Sequence, residues 1–152
     1  MQLEKWAQIA EIIAAASVVV SIVYLAREVE SNTSAVRGAA MQAIASTDAE
    51  LLMTVAADAD LSEILRVGQQ TPNRLSESNA FRYLLFMRQF WLSFQNIYQQ
   101  SELGLVEPSV WSSYLTVICG MWSRPGTRET WSDHAEILDP GFVSVVETCE
   151  HR

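Results

Sequence analysis

The chain has 152 residues, of which 18 are acidic and 10 basic, for a formal net charge of −8. That length fits one domain, or a membrane anchor plus one small domain, and the acidity excludes nucleic acid as a partner, because phosphate binding needs basic patches. Charged residues make up only 18% against a usual figure of about 25%, and 49% are hydrophobic, so the chain is not disordered and is oilier than a typical soluble domain.

The oiliness is concentrated at the start. Residues 6–26, WAQIAEIIAAASVVVSIVYLA, hold one charge, Glu11, with Lys5 before the run and Arg27, Glu28 and Glu30 after it. A spanning helix needs about 20 mostly apolar residues. Trp6 and Tyr24 stand 18 positions apart, roughly 27 Å along a helix, which suits two aromatic anchors at opposite interfaces. Ile9, Ile12, Ile13, Val18, Val19, Val20, Ile22, Val23 and Leu25 together favour insertion by on the order of 3–5 kcal/mol. Glu11, near one end, opposes this by less than the roughly 2.5–3.5 kcal/mol it would cost at the centre. The expectation is one helix that meets a lipid bilayer through residues 6–26. Three readings compete: a core helix of a soluble bundle, an amphipathic surface helix, and a cleaved signal peptide. The last lacks a basic leading region, since Glu4 and Glu11 offset Lys5 and the amino terminus, and no small-x-small site follows the run.

Within the run Ala7, Ala10, Ala14, Ser17 and Ser21 fall at steps of 3, 4, 3 and 4, one face of a helix. Such a stripe lets helices approach closely in lipid, so self-association or docking onto another membrane protein is expected; plain alanine-rich filling is the alternative. Lys5 and the amino terminus nearly balance Arg27 and Arg37, with a slight lean towards a cytoplasmic C-terminal domain.

Residues 1–30 read as the anchor and 31–152 as an all-α domain. Val36, Ala40, Ile44, Leu51 and Val55 line one side of a helix over 34–57. Ser31-Asn32-Thr33-Ser34 either caps that helix or lies inside one long helix leaving the bilayer. Asp58 and Asp60 punctuate, 61–69 makes a short helix, and 68–79 is the clearest loop. Ser76 caps a helix that runs to about Glu102 and stops at Gly104. Tyr83, Leu84, Met87, Phe90, Trp91, Phe94, Ile97 and Tyr98 form its apolar face, and Arg82, Gln89, Ser93, Asn96 and Gln100 its polar one. Pro108 opens a helix to Trp122, Thr127 caps a short helix to Trp131, and Asp139-Pro140 starts a last helix carrying Phe142, Val145 and Val146. No stretch alternates with period 2, so no sheet is predicted.

Motifs of catalysis are missing: no HExxH, CxxC, phosphate loop or nucleophile elbow occurs, and no catalytic residue, metal or cofactor is predicted. His134 and His151 are the only histidines, and Asp133-His134 with Glu136 reads as a solvated helix surface rather than a ligand set. Cys119 reads as a small buried residue. Its pairing with Cys149 would need an oxidising compartment and is left open. Arg88, Gln95 and Gln99, beside Trp91, form a candidate polar pocket for an anionic ligand; otherwise the Arg88 stem packs on Trp91 with its head in water. Arg124 and Arg128, flanking Pro125-Gly126, either receive an anion or lipid headgroup or pair with Glu129 or Asp133.

Tyr24-Leu25, Asn32-Thr33, Asn96, Tyr98, Gly104, Leu105 and Trp111 recur in an order that ends in Arg124-Pro125-Gly126-x-Arg128-x-x-Trp131. The pattern resembles a family of short bacterial proteins that form a domain of unknown function, with Gln95 where members often carry Glu. The resemblance spans nearly the whole chain and implies the architecture and a bacterial source without an activity. The function expected is a membrane-anchored helical interaction module or accessory subunit of the bacterial inner membrane, without catalysis. The alternatives are a soluble helical oligomer with residues 6–26 between subunits, and a small ligand-binding bundle with its pocket near Arg88.

Overall fold

The structure, a computed structural model, describes residues 2–151 except for the side chains of Leu3, Glu4 and His151. The charge balance assigned to Glu4 and any role of His151 therefore lie outside the described residues. Among the described residues all regular structure is helical.

Helix α1 spans Gln2–Ala57 without a break. No proline occurs in it and Gly38 is its only glycine, so nothing in the sequence ends it early. Of the two readings of Ser31–Ser34 the continuous one holds. Thr33 donates its hydroxyl to the Val29 carbonyl at 2.8 Å instead of capping a new helix. The chain divides into two compact units, one up to Ala39 and one from Ala40 onward. The boundary expected at residue 30 falls inside the first unit. In that unit every side chain from Lys5 to Ala39 is exposed.

The second unit begins with the last turns of α1. Met41, Ile44 and Val55 pack on its core and Leu51 is half-buried, whereas Val36, expected on the same side, belongs to the first unit and is exposed. The chain turns at Asp58, whose carboxylate accepts the Leu61 amide at 2.9 Å and so caps α2 (Ala59–Gln70). The expected loop over 68–79 shrinks, because α2 runs on to Gln70, a 3-10 turn forms at Pro72–Arg74 and the next helix already starts at Glu77. Ser76 caps α3 (Glu77–Glu102), as predicted, by accepting the Asn79 amide. There follow α4 (Pro108–Trp122), α5 (Pro125–Glu129), α6 (Ser132–Ala135), α7 (Pro140–Glu147) and a 3-10 turn at Thr148–His151.

Helix α3 is the centre of the core. Tyr83, Met87, Trp91, Phe94 and Ile97 are buried on it. Trp91 meets Trp131 edge-on at 4.9 Å between ring centroids, and Trp131 meets Trp122 at 5.2 Å. Each such pair adds roughly 0.5–1.5 kcal/mol beyond the apolar area it buries. Tyr98 lies between Trp111 and Phe142. Ser93, assigned above to the polar face, is buried, because α3 is covered over a wider arc than its hydrophobic side chains mark.

The Arg-Pro-Gly-x-Arg-x-x-Trp segment has a structural explanation. A Cβ on Gly126 would lie 1.9 Å from the Gly68 carbonyl oxygen, so α2 and α5 touch backbone to backbone there. Gly104 closes α3 at φ +69°, a conformation that only glycine adopts without penalty. Thr127 does not cap a helix: α5 starts two residues earlier at Pro125, whose fixed φ suits the first turn, and Thr127 is fully buried inside it.

Candidate functional site

The residues predicted for an anion pocket stand in three different environments. Arg88 and Gln99 are exposed, Gln95 is half-buried and Trp91 is wholly inside the core. Gln95 is occupied structurally: its side-chain carbonyl accepts the Asp139 amide at 2.5 Å, at the turn that starts α7. Asp139 in turn accepts the Gly141 and Phe142 amides and caps that helix. Arg124 and Arg128 are exposed, and the Arg124 charge reaches the buried Tyr83 phenol.

A concavity of the second unit lies elsewhere. A cavity of about 280 Å3 is lined by Asp48, Leu51, Leu52, Phe90, Phe94, Tyr114 and Val117. Three helices position these groups. The end of α1 supplies Asp48, Leu51 and Leu52; α3 supplies the two phenylalanines, one turn apart; α4 supplies Tyr114 and Val117. Phe94 faces Phe90 at 5.8 Å and Tyr114 at 6.4 Å. The Tyr114 phenol donates a hydrogen bond to the Asp48 carboxylate. Burial first, and then that bond and the carboxylate charge, push the Tyr114 phenol up to about 12. The cavity is therefore an apolar hollow with a single acidic group.

Sequence reasoning missed this site, although one signal was available. Met41, Ile44, Asp48, Leu51 and Val55 follow steps of 3, 4, 3 and 4, so a carboxylate interrupts a core-facing stripe. A charged side chain in such a register needs a partner. Tyr114 is that partner, and its position 66 residues later is invisible to a local pattern.

His134 corrects a further expectation. It is 1% exposed rather than solvated, and neither ring nitrogen has a hydrogen-bond partner among the described residues. Its helix, α6, is a single turn packed on α3, which turns His134 inward and leaves Asp133 and Glu136 outside. Burial pushes its imidazole below the ordinary range; the Asp133 charge opposes the shift and the Arg88 charge adds to it. The Tyr83 and Thr127 hydroxyls are buried as well, with Thr127 and Thr130 as the polar neighbours of the Tyr83 phenol. No group of three or more metal-ligating side chains occurs among the described residues.

Cys119 is half-buried and forms a disulfide with Cys149 across a separation of 30 residues, rather than standing as an isolated small core residue. The bond ties the last 3-10 turn to α4.

In the first unit, Ala7, Ala10, Ala14, Ser17 and Ser21 do fall along one helix, all exposed. Ser17 and Ser21 donate their hydroxyls to the Ile13 and Ser17 carbonyls, each at 2.8 Å. Their polar atoms are thus satisfied within the helix, which lowers the cost of taking the stripe out of water. The helix is long and apolar enough to cross a membrane, and none of its most apolar stretch is buried among the described residues.

No family model, curated protein or solved structure matches this chain.

Proposed function

We propose that the protein is a single-pass, membrane-anchored helical interaction module, held in a bacterial inner membrane by residues 6–26 and acting without catalysis. One observation carries the reading: the apolar run is wholly exposed, with Ile12 and Val20 each 68% accessible. Exposed aliphatic surface costs roughly 25 cal/mol per Å2 in water, so a run of this length requires a covering medium. Lipid supplies it, and the internally bonded serines of the small-residue stripe suit a second helix alongside. The partner is a second copy or another membrane protein. The bacterial setting follows from the resemblance drawn on Tyr24-Leu25 through Trp131.

The flanking basic residues leave the orientation nearly balanced, and the disulfide tips it. Thiols stay reduced in the cytosol, so a persistent Cys119–Cys149 bond supports the domain lying on the oxidising side instead of the cytoplasmic one.

Fractionation of cells expressing the full chain tests the anchor. The protein is expected in the membrane pellet, resistant to alkaline carbonate and released by detergent. Recovery in the soluble fraction as a monodisperse oligomer, measured by light scattering, would replace the bilayer with other copies as the cover of residues 6–26. A membrane-impermeant thiol reagent, applied to intact cells after reduction, reads the orientation. Labelling of Cys119 or Cys149 is expected, and protection until lysis would return the domain to the cytoplasm.

A further inference from the structure

The cavity between the end of α1, α3 and α4 plays no part in the anchoring just proposed. Its lining is aliphatic and aromatic apart from the Asp48 carboxylate and the Tyr114 phenol. Asp48 is half-buried and the phenol is its hydrogen-bond donor. Both features restrict what such a hollow accepts. A wholly apolar occupant would take the carboxylate further from water with only one hydrogen bond to satisfy it, which is costly. An anion would meet Asp48 at close range inside a chain whose formal charge is already −8. A cation meets the carboxylate and also the rings that line the hollow, Phe90, Phe94 and Tyr114, a class of side chain whose quadrupole attracts positive charge. The apolar body of such a ligand would cover Leu51, Leu52 and Val117. At about 280 Å3 the cavity lies at the lower limit of ligand sites, which run from about 300 to 1,000 Å3, so the ligand is small.

We infer that this cavity binds a small organic cation with an apolar body, an alkyl- or aryl-substituted ammonium, with Asp48 as the charge partner and Phe90, Phe94 and Tyr114 as the aromatic wall. Tyr114 positions the carboxylate, and Leu52 and Val117, both exposed, form the entrance. The inference is independent of whether residues 6–26 lie in lipid.

The test uses the full chain in a maltoside detergent, because a phosphocholine detergent itself carries a quaternary ammonium. Benzyltrimethylammonium, benzyl alcohol and phenylacetate are titrated by calorimetry, with protein-free micelles as the blank. The cation is expected to bind saturably with one site per chain, about tenfold or more tighter than the alcohol, and phenylacetate to give no saturable heat. Asp48→Asn is expected to weaken the cation by about tenfold or more while leaving the alcohol unchanged, which shows in the same experiment that the hollow is intact. A cation that binds no tighter than the alcohol, or gives no saturable heat at all, overturns the proposal. So does an Asp48→Asn protein that binds the cation as the wild type does. Should that variant not fold, Phe90→Leu keeps the apolar lining and removes one ring face; a loss confined to the cation supports the site, and unchanged cation affinity overturns it.

Discussion

The Tyr114 phenol donates a hydrogen bond to the Asp48 carboxylate and so joins α4 to the last turns of α1. It is the polar link in an otherwise apolar contact between those helices and α3, and it sets the pH behaviour of this corner. The phenol is held at about 12, above its ordinary value of 10.0, so the neutral donor is favoured in the fold. The stability linked to the raised phenol, from its burial first and then from this bond, is full below pH 10 and is lost as pH rises through about 12. Spectroscopic titration at high pH should show Tyr114 ionising near 12, with the Tyr83 and Tyr98 phenols also raised above the ordinary value. In Tyr114→Phe the late ionisation should shrink by one tyrosine, with a stability loss of about 1 kcal/mol at neutral pH for a hydrogen bond open to solvent.

His134 gives the opposite pH limit. Its imidazole is depressed by burial, so the neutral ring belongs to the fold. The linked stability is complete above the ordinary value of 6.5 and is lost as pH falls below it, because the unfolded chain then binds the extra proton. Urea midpoints should therefore drop between pH 7.5 and pH 5. His134→Leu, which removes two unpartnered ring nitrogens, should flatten that drop and cost about 1 kcal/mol or less at pH 7.5. An unchanged acid slope would show that other groups drive it.

Gly126 tolerates no side chain. Gly126→Ala places a Cβ 1.9 Å from the Gly68 oxygen, and both partners are backbone, so α2 and α5 must separate. A loss of about 2–4 kcal/mol is expected, or roughly 10 °C in Tm by circular dichroism. Gly120→Ala is the control: its Cβ meets nothing within 4 Å, and a helical glycine replaced by alanine should gain about 0.5–1 kcal/mol.

The disulfide closes a loop with a sequence separation of 30, for which chain entropy gives about 3–4 kcal/mol. Cys119→Ser should lower the denaturant midpoint accordingly and abolish the mobility shift between reduced and non-reduced gels. The same protein purified under reducing conditions should match the variant.

The proposed insertion of residues 6–26 rests on a modest sum. Val19→Arg removes one inserter and adds about 2.5–3.5 kcal/mol at the centre of the run, close to the whole of the roughly 3–5 kcal/mol that favours it. The membrane-bound fraction of full-length protein should fall sharply, whereas Ala16→Leu should leave it unchanged or raise it.

Much of the helical order was legible locally. Ser76, Asp58 and Asp139 are caps that act within three residues, Pro108 and Pro140 open the first turn of their helices, and the apolar face of α3 repeats at 3.6 residues. These signals depend on short-range geometry, which a linear chain carries in full. The long apolar run was equally plain, since insertion is close to a sum over neighbouring residues.

What only the tertiary structure decided lies between distant positions. His134 looked like a surface residue because its neighbours Asp133 and Glu136 are charged, and only the packing of α6 on α3 turns it inward. Cys119 and Cys149 carry no spacing motif, and they meet because the chain end returns to α4. Arg88 and Gln95 seemed to share a face, yet Gln95 holds the start of α7 and Arg88 is in solvent. Asp48 and Tyr114 were unremarked until three helices brought them together around one hollow. Charge and hydropathy patterning thus determined that this acidic chain is helical and that it carries one long apolar helix near its start. Which of its polar residues are buried, paired or open to a ligand was decided by contacts whose partners lie tens of residues away, where no local periodicity reaches.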